Sequence, residues 1–282
     1  MDVIRGPELR DRGYGGIWGV GKAAVNQPAL AILSYDPEGA SQTVCLVGKG
    51  VMYDTGGLSL KISGSMVGMK ADMAGAAGLL GAFYGLVESK VNKRIHLVLC
   101  LAENAIGPNA LRNDDILRMY SGLCVEINNT DAEGRLLLAD GVAHACKHLS
   151  PDILIDMATL TGAQLISTGK KHAALVCNSE ELENRAIMAG KKSGDLCHPL
   201  PFCPEIFKDE FKSKVADMKN SVKDRSNAQS SCAGIFIHQH LPKDFKGEWL
   251  HVDMAGPAFV DERGTGYGVG LVMALLDAPA FV

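Results

Sequence analysis

Short runs of consecutive apolar residues alternate along this chain with longer segments in which apolar residues recur at helical spacing. The short runs predict buried β-strands at 29–35, 43–47, 95–101, 123–127, 153–157 and 173–176. The longer segments predict helices at 71–88, 133–149, 180–192, 227–240 and 266–276. This alternation is typical of an α/β fold, and we expect a mixed, mostly buried β-sheet sandwiched between helices.

Glycine and aspartate cluster where predicted strands end, at 48–57 and 128–134. Ligands of open α/β sheets bind at such strand ends, so these two segments are the first candidates for a functional site. The segment 194–223 is the most loop-like part of the chain and could border the mouth of that site. The pattern indicates no internal domain boundary, and we expect one domain over 1–282.

The composition excludes several classes of protein. A formal net charge of −4 over 282 residues lacks the basic excess of a nucleic-acid-binding protein. No apolar run is long enough to span a bilayer, and the first residues lack the apolar segment of a signal peptide. Eight scattered cysteines without CxxC spacing are typical of free thiols, so we expect a reducing, cytoplasmic location and no membrane partner.

The most informative segment is 129–135, which reads Asn-Thr-Asp-Ala-Glu-Gly-Arg. In an extended segment positions i and i+2 point to the same side, so Asp131 and Glu133 would converge on one point. Paired carboxylates bind divalent cations well. A structural alternative has equal weight for this segment alone, because Thr130 followed by Glu133 before an apolar run is also a capping box.

Two upstream segments carry further candidate groups. Residues 47–61 contain Lys49, Asp54 and Lys61, and residues 69–77 contain Asp72. Each residue has an ordinary structural interpretation. Asp54 could belong to a plain turn and Asp72 could be a helix N-cap, while the two lysines could be solvated at the surface.

Taken together and in this order, the three segments resemble the leucyl (cytosol) aminopeptidase family of two-metal exopeptidases. The resemblance extends from about residue 13 to about residue 276, and the stretches 15–22 and 253–257 are most similar to its probable aminopeptidase-like branch. Family members usually carry an additional N-terminal α/β domain. The resemblance therefore implies that 1–282 is the metallo-aminopeptidase catalytic domain without that N-terminal domain, as a fragment, an isoform or a branch that lost it.

The resemblance also implies a ligand set for two divalent ions, zinc or manganese, with magnesium as a further candidate. Asp54 and Glu133 would bridge the two ions. Lys49 and Asp72 would complete the tighter site, and Asp131 would complete the more exchangeable one. A metal-bridging water would then attack the carbonyl of the first peptide bond.

Further roles follow from the same resemblance. Lys61 would stabilise the developing oxyanion, and Arg135 would hold bicarbonate or a similar anion as general base. The protein would act on peptides as a homo-oligomer, a hexamer of two trimers. Core packing is otherwise the default interpretation of a methionine or leucine, but the resemblance places four residues around the substrate: Met69, Asn129, Leu160 and Gly162.

Three functional hypotheses remain at this point. The first is a dinuclear aminopeptidase that releases N-terminal residues from peptides. The second is a catalytically silent family member that acts as a binding or scaffold protein, although every matched ligand and Lys61 are present. The third is a two-metal phosphoesterase, which would be expected to use histidine and asparagine ligands, whereas the motifs contain no histidine.

Overall fold

In the computed structural model, which describes residues 1–281, most of the chain is arranged around one large mixed β-sheet. The strands within that range are β1 (Asp2–Arg5), β2 (Ala29–Tyr35), β3 (Thr43–Asp54), β4 (Arg94–Asn104), β5 (Ile116–Arg118), β6 (Cys124–Glu126), β7 (Ile153–Ala158), β8 (Ala173–Cys177), β9 (Cys197–Pro199), β10 (Met218–Lys219), β11 (Glu248–Asp253), β12 (Phe259–Val260) and β13 (Arg263–Gly264). The helices are α1 (Pro7–Asp11), α2 (Gly15–Gly21), α3 (Ala74–Glu88), α4 (Gly134–Leu149), α5 (Gly162–Ser167), α6 (Glu180–Ser193), α7 (Pro204–Phe207), α8 (Gln229–His238) and α9 (Val269–Leu275).

The large sheet has the strand order β1-β2-β4-β3-β7-β11-β8-β9. Its four middle strands, β4, β3, β7 and β11, run parallel to one another. Antiparallel strands flank them, with β2 beside β4 and β8 beside β11. A small sheet of β10, β6 and β5 lies apart from it, and β12 pairs with β13. The carboxyl ends of four parallel strands therefore meet at one edge of the large sheet.

Helices cover both faces of the large sheet. The core on one face includes residues of α2, α4 and α8, and the core on the other includes residues of α3, α6 and α9. Every residue of β7 is buried, as expected for a central strand covered on both sides. None of the helices within residues 1–281 is long and apolar enough to cross a membrane. The predicted α/β sandwich is confirmed.

The structure extends some predicted elements and corrects others. The strand predicted at 29–35 is β2, whereas β3 and β4 continue beyond their predicted ends. The segment 123–127 contains β6, which belongs to the small sheet rather than the main one. Strand β11 was missed because polar residues interrupt its apolar pattern. Those residues are bonded inside the protein: the His251 ring contacts Asp156, and Asp253 accepts backbone N–H groups.

Gly16 allows α2 to approach α4 closely. A Cβ atom on Gly16 would lie 2.3 Å from the Leu136 carbonyl oxygen, so a side chain at this position would clash with the backbone. At this contact the buried Asp140 of α4 accepts hydrogen bonds from the N–H groups of Gly16 (2.7 Å), Ile17 (3.0 Å) and Tyr120 (2.8 Å). One carboxylate thus satisfies two otherwise unpaired N–H groups at the start of α2 and fixes the turn after β5.

We predict that Asp140→Ala will destabilise the fold. Three buried N–H groups would lose their acceptor, each at a cost of roughly 1–3 kcal/mol, while relief of the desolvated carboxylate would offset part of the loss. We expect the free energy of unfolding in urea to fall by about 2–4 kcal/mol. The control is Asp11→Ala, because Asp11 is exposed and its salt bridge is with the exposed Arg10. Equal stability of the two variants would contradict the role of Asp140.

Candidate metal centre

The candidate site lies at the carboxyl ends of the parallel strands. Asp54 ends β3 and is paired in register with Asn104, which ends β4. The segment 159–161 follows β7, and Asp253 ends β11. The topology therefore brings polar groups from distant parts of the sequence to one edge of the sheet, as in other open α/β folds.

Lys49 lies inside this edge and is 2% exposed. Its Nζ atom lies 2.8 Å from Asp72 Oδ1 and 2.9 Å from Glu133 Oε1, and it donates to the Thr159 carbonyl oxygen at 2.9 Å. The interpretation of Lys49 as a solvated surface lysine is therefore wrong. One ammonium group joins carboxylates from two of the three motif segments.

Lys61 makes the corresponding contacts on the other side of the cluster. Its Nζ atom lies 2.9 Å from Asp54 Oδ2 and 2.5 Å from Asp131 Oδ1, the second contact being an ion pair with poor hydrogen-bond geometry. The side chain of Lys61 is 16% exposed, so it faces the mouth of the site rather than bulk solvent. The five predicted metal ligands and Lys61 thus form one cluster.

This cluster fits a divalent cation. Oxygen atoms of Asp54, Asp131 and Glu133 lie within 4.8 Å of one another. Asp72 Oδ2 and Glu133 Oε2 are buried and find no hydrogen-bond partner among residues 1–281. Carboxylate oxygens are donors that hard and borderline divalent ions accept readily. The cluster therefore offers the converging oxygen atoms with free lone pairs that such an ion requires.

The pKa values reflect how crowded the negative charges are. Burial, together with the charge of Asp54, raises the pKa of Glu133 to about 8. Burial likewise raises the pKa of Asp72 to about 6, against the opposing effect of Lys49. Burial alone would lower the pKa of Lys49, but the nearby carboxylates outweigh it and hold that pKa well above the ordinary lysine value. Further positive charge at this site would lower the cost of ionising the carboxylates.

The loop that carries Asp131 corrects two interpretations of the sequence. It is a turn rather than an extended segment, and Asp131 and Glu133 converge because of that turn. The capping-box interpretation is wrong, since α4 begins at Gly134 with Glu133 rather than Thr130 at its N-cap, and Glu133 makes no side-chain capping bond. The Thr130 hydroxyl instead donates to the Gly56 carbonyl (2.6 Å) and accepts from Ser59 N (2.7 Å), which ties two motif segments together.

The N-cap interpretation of Asp72 is also wrong. The residue at the N-cap of α3 is Met73, and Asp72 Oδ1 accepts from Lys49 and from the Thr159 hydroxyl (2.8 Å). The glycine at position 134, directly after Glu133, leaves room for Lys49. A Cβ atom on Gly134 would lie 2.6–2.8 Å from the last atoms of the Lys49 side chain and would displace it.

Arg135 is buried in the first turn of α4 and does not contact the carboxylates directly. Its Nη1 group donates to the Asn220 carbonyl oxygen at 2.9 Å. Its Nε group is buried and has no hydrogen-bond partner in the described part of the chain. Burial lowers the pKa of Arg135 to about 10, although the charge of Glu133 opposes the shift. A buried guanidinium with an unused donor fits a small anion.

The four residues expected around the substrate lie within three positions in sequence of a cluster residue or of Thr159, whose carbonyl accepts from Lys49. Met69 begins the 3₁₀ turn that leads to Asp72, and Asn129 Oδ1 accepts from Asp131 N at 3.0 Å. Leu160 and Gly162 flank Thr161 after β7, and a Cβ atom on Gly162 would meet open space. A cleft of about 470 Å³ opens beside Lys61, Asp131 and Asn129, and is also lined by Leu60, Ile62 and Arg225.

Sequence reasoning missed several residues that hold the site in place. Asn104 Nδ2 donates to Asp54 Oδ1 (2.8 Å), and Asp253 accepts from the Thr161 hydroxyl (2.6 Å). Asn220, within the predicted loop 194–223, contacts the turn before α4. Asn104 lies three residues after the strand predicted at 95–101, which was a usable signal, whereas nothing in the local sequence marks Asn220.

Comparisons with known proteins agree with this geometry. Residues 1–273 match the description "Cytosol aminopeptidase family, catalytic domain". The chain is 59% identical to the human protein named "Probable aminopeptidase NPEPL1" over 273 residues, which covers 97% of this chain and 52% of that protein.

Two solved structures are similar over 98% of this chain and 54% of theirs. The apo leucyl aminopeptidase of Trypanosoma cruzi is 55% identical, with a TM-score of 0.96. The Trypanosoma brucei leucyl aminopeptidase, determined in complex with bestatin, is 50% identical, also with a TM-score of 0.96.

The chain spans about half the length of the curated relatives it matches. The match nevertheless covers nearly all of this chain and includes the whole carboxylate and lysine cluster. The chain therefore belongs to the cytosol aminopeptidase family.

Proposed function

We propose that this chain is a metal-dependent aminopeptidase that hydrolyses the N-terminal residue from peptides with two divalent ions. The observation that carries the proposal is the convergence of Asp54, Asp131 and Glu133 oxygens within 4.8 Å beside two lysines. Family membership supports it, because relatives of this chain bear aminopeptidase names. The whole of residues 1–282 would act as one catalytic domain.

The residues divide into two sets toward the ions. Asp54 and Glu133 would bridge them, Lys49 and Asp72 would complete one site, and Asp131 would complete the other. Only the neutral amine of Lys49 has a free lone pair, so Lys49 would release its proton to solvent when the ion binds. Bound zinc, manganese or magnesium would activate a bridging water and polarise the scissile carbonyl. The buried oxygens Asp72 Oδ2 and Glu133 Oε2 would be free to bind an ion, since they find no hydrogen-bond partner among residues 1–281.

Two cationic side chains would act on the reacting groups. Lys61 lies between Asp54 and Asp131 at the cleft, where its ammonium group would stabilise negative charge that develops on the carbonyl oxygen. Arg135 would hold bicarbonate or a similar anion through its unpaired Nε group, and that anion would transfer the proton. The start of α4 would assist, because helix N-termini favour anions.

The substrate would be a peptide with a free α-amine. The Trypanosoma brucei relative has been determined in complex with bestatin and in complex with actinonin. The cleft beside Lys61 opens toward Asn129, and its walls combine apolar with charged side chains. We propose that Met69, Asn129, Leu160 and Gly162 surround the first residue of the peptide, the last two mainly through backbone groups.

An assay with competing substrates tests the function. The purified chain, supplied with Mn²⁺ or Zn²⁺, should cleave aminoacyl amides with a free amine and should leave N-acetylated amides and phosphoesters intact. A chelator should abolish the activity and added metal should restore it. Metal binding without hydrolysis would favour the silent scaffold, and cleavage of phosphoesters would favour the phosphoesterase.

Metal counting tests the ligand assignment. We predict that Glu133→Ala will lose both ions, because Glu133 would bridge them, whereas Asp131→Ala will mainly weaken one. The measurement is the metal content of each purified variant after dialysis against a fixed free-metal concentration. The control is Glu181→Ala on the exposed surface of α6, which should retain wild-type content. Full occupancy in both site variants would refute the assignment.

Lys61→Ala should separate binding from chemistry. The charge that Lys61 would stabilise develops mainly in the transition state, so kcat should fall by about 10²–10³-fold while KM changes much less. Steady-state kinetics on one aminoacyl amide provide both constants. The metal content must be measured in parallel, since Lys61 also pairs with two proposed ligands. An unchanged kcat with intact metal would contradict the role.

We also propose that the protein forms a homo-oligomer in a reducing compartment such as the cytoplasm. Four large apolar side chains between 58 and 67 are exposed, from 45% for Leu60 to 80% for Val67. Exposed apolar groups of this kind favour self-association. Within residues 1–281 the eight cysteines are free thiols, as a reducing compartment requires. Light scattering tests the assembly, and an active monomer would refute it.

A further inference from the structure

One buried amide, on Asn220, uses all of its hydrogen-bonding groups on the turn that carries Asp131. Its Oδ1 atom accepts from Asn128 N (2.9 Å) and Asn129 N (3.3 Å). Its Nδ2 group donates to the carbonyl oxygens of Asn129 (2.7 Å) and Ala132 (3.3 Å). An asparagine amide offers two donors and two acceptor sites, so this side chain is fully committed to residues 128–132.

The backbone of the same residue reaches Arg135. The Asn220 carbonyl oxygen accepts from Arg135 Nη1 at 2.9 Å, and Asn220 N donates to the Glu126 carbonyl oxygen at 3.0 Å. The second bond continues the parallel pairing of β10 with β6. Asn220 is 0% exposed, so water cannot replace these partners. The side chain of Asn220 thus contacts the turn that carries the proposed metal ligands, and its backbone carbonyl contacts the Arg135 guanidinium.

We infer that Asn220 is a positioning residue. It would fix the conformation of the turn that carries Asp131 and Glu133, and it would orient Arg135 toward the anion that Arg135 is proposed to hold. The inference rests on the proposed function for the roles of those three residues. Asn220 touches neither a carboxylate of the cluster nor the cleft, so its influence passes through the turn and through Arg135. Such supporting groups commonly change metal affinity or activity by about 10–100-fold when they are replaced.

The chemistry of the contact requires an amide rather than a group of the same shape. In Asn220→Asp, one oxygen can still accept from Asn128 N and Asn129 N. The other would face the carbonyl oxygens of Asn129 and Ala132, and these like partial charges repel. The turn would therefore shift although the side-chain volume is nearly unchanged. Asn220→Ser is a milder change, because a hydroxyl can keep part of the bonding.

Calorimetric titration of the metal-free chain with Mn²⁺ tests the inference independently of catalysis. We expect Mn²⁺ affinity to fall about 10–100-fold in Asn220→Asp and by a smaller factor in Asn220→Ser. In the enzyme saturated with Mn²⁺, the bicarbonate concentration for half-maximal activity should rise at least about tenfold, with kcat falling more than KM rises. Wild-type Mn²⁺ affinity and bicarbonate response in both variants would overturn the inference.

Two controls separate positioning from general stability. Leu79→Ala opens a cavity in the opposite core, and should lower the midpoint of urea unfolding while Mn²⁺ affinity stays at the wild-type value. Asn178→Asp makes the same chemical change away from the candidate metal centre. The Asn178 amide bonds the chain at the start of β11, where it accepts from Trp249 N and donates to the Gly247 carbonyl oxygen. An equal loss of Mn²⁺ affinity in Leu79→Ala and Asn220→Asp would overturn the inference as a stability effect.

The metal titration and the peptide assay test the inference and the proposed function separately. A wild-type chain that binds Mn²⁺ but cleaves no peptide would refute the proposed function. In that case the Mn²⁺ affinities of Asn220→Asp and Asn220→Ser would still decide whether Asn220 positions the turn. Loss of affinity in these variants would support the inference, and its retention would overturn it.

Discussion

Four carboxylates packed at one buried edge of a sheet are the constraint to which the surrounding structure responds. Asp54, Asp72 and Glu133 are each less than 8% exposed, and an uncompensated charge at such depth costs many kcal/mol. Lys49 and Lys61 offset part of the charge, leaving a formal excess of two negative charges. The two divalent ions of the proposed function would compensate the remaining charge, and the unpaired oxygens Asp72 Oδ2 and Glu133 Oε2 would be available to bind them.

Holding like charges together requires a rigid frame, and buried polar side chains supply it. Asn104 donates both to Asp54 Oδ1 and to the Thr130 carbonyl oxygen (3.1 Å), so the end of β4 connects two of the motif segments. Asp253 at the end of β11 accepts from Leu160 N and the Thr161 hydroxyl, which orders the segment after β7. Each support lies on a strand or beside one, where its own position is fixed by packing.

The sequence predicted the architecture and the cluster better than it predicted the supports. Apolar runs and periodicity located β7 and α4 because these elements are buried along all or most of their length, and located β2 through the buried run that it contains. The candidate ligands came from a resemblance, and the local argument from an extended segment was wrong about the turn. Most hydrogen-bond partners of the Asn220 and Asp253 side chains lie about ninety residues away in sequence, so no local pattern could identify them. Strand β11 was hidden for a related reason, since its polar residues are paired only in the folded protein.

The same electrostatic constraint weighs against a scaffold without metal. A binding protein would need the fold but not four converging carboxylates, and replacing them with apolar or amide side chains would remove their mutual repulsion. The chain instead retains the carboxylates, both lysines, a glycine at 134 that leaves room for Lys49, and the amide of Asn220 that bonds the turn. None of these residues belongs to either of the two apolar cores. Together they keep carboxylate oxygens converged at the mouth of a cleft, which is the arrangement that the proposed metal-dependent peptide hydrolysis would require.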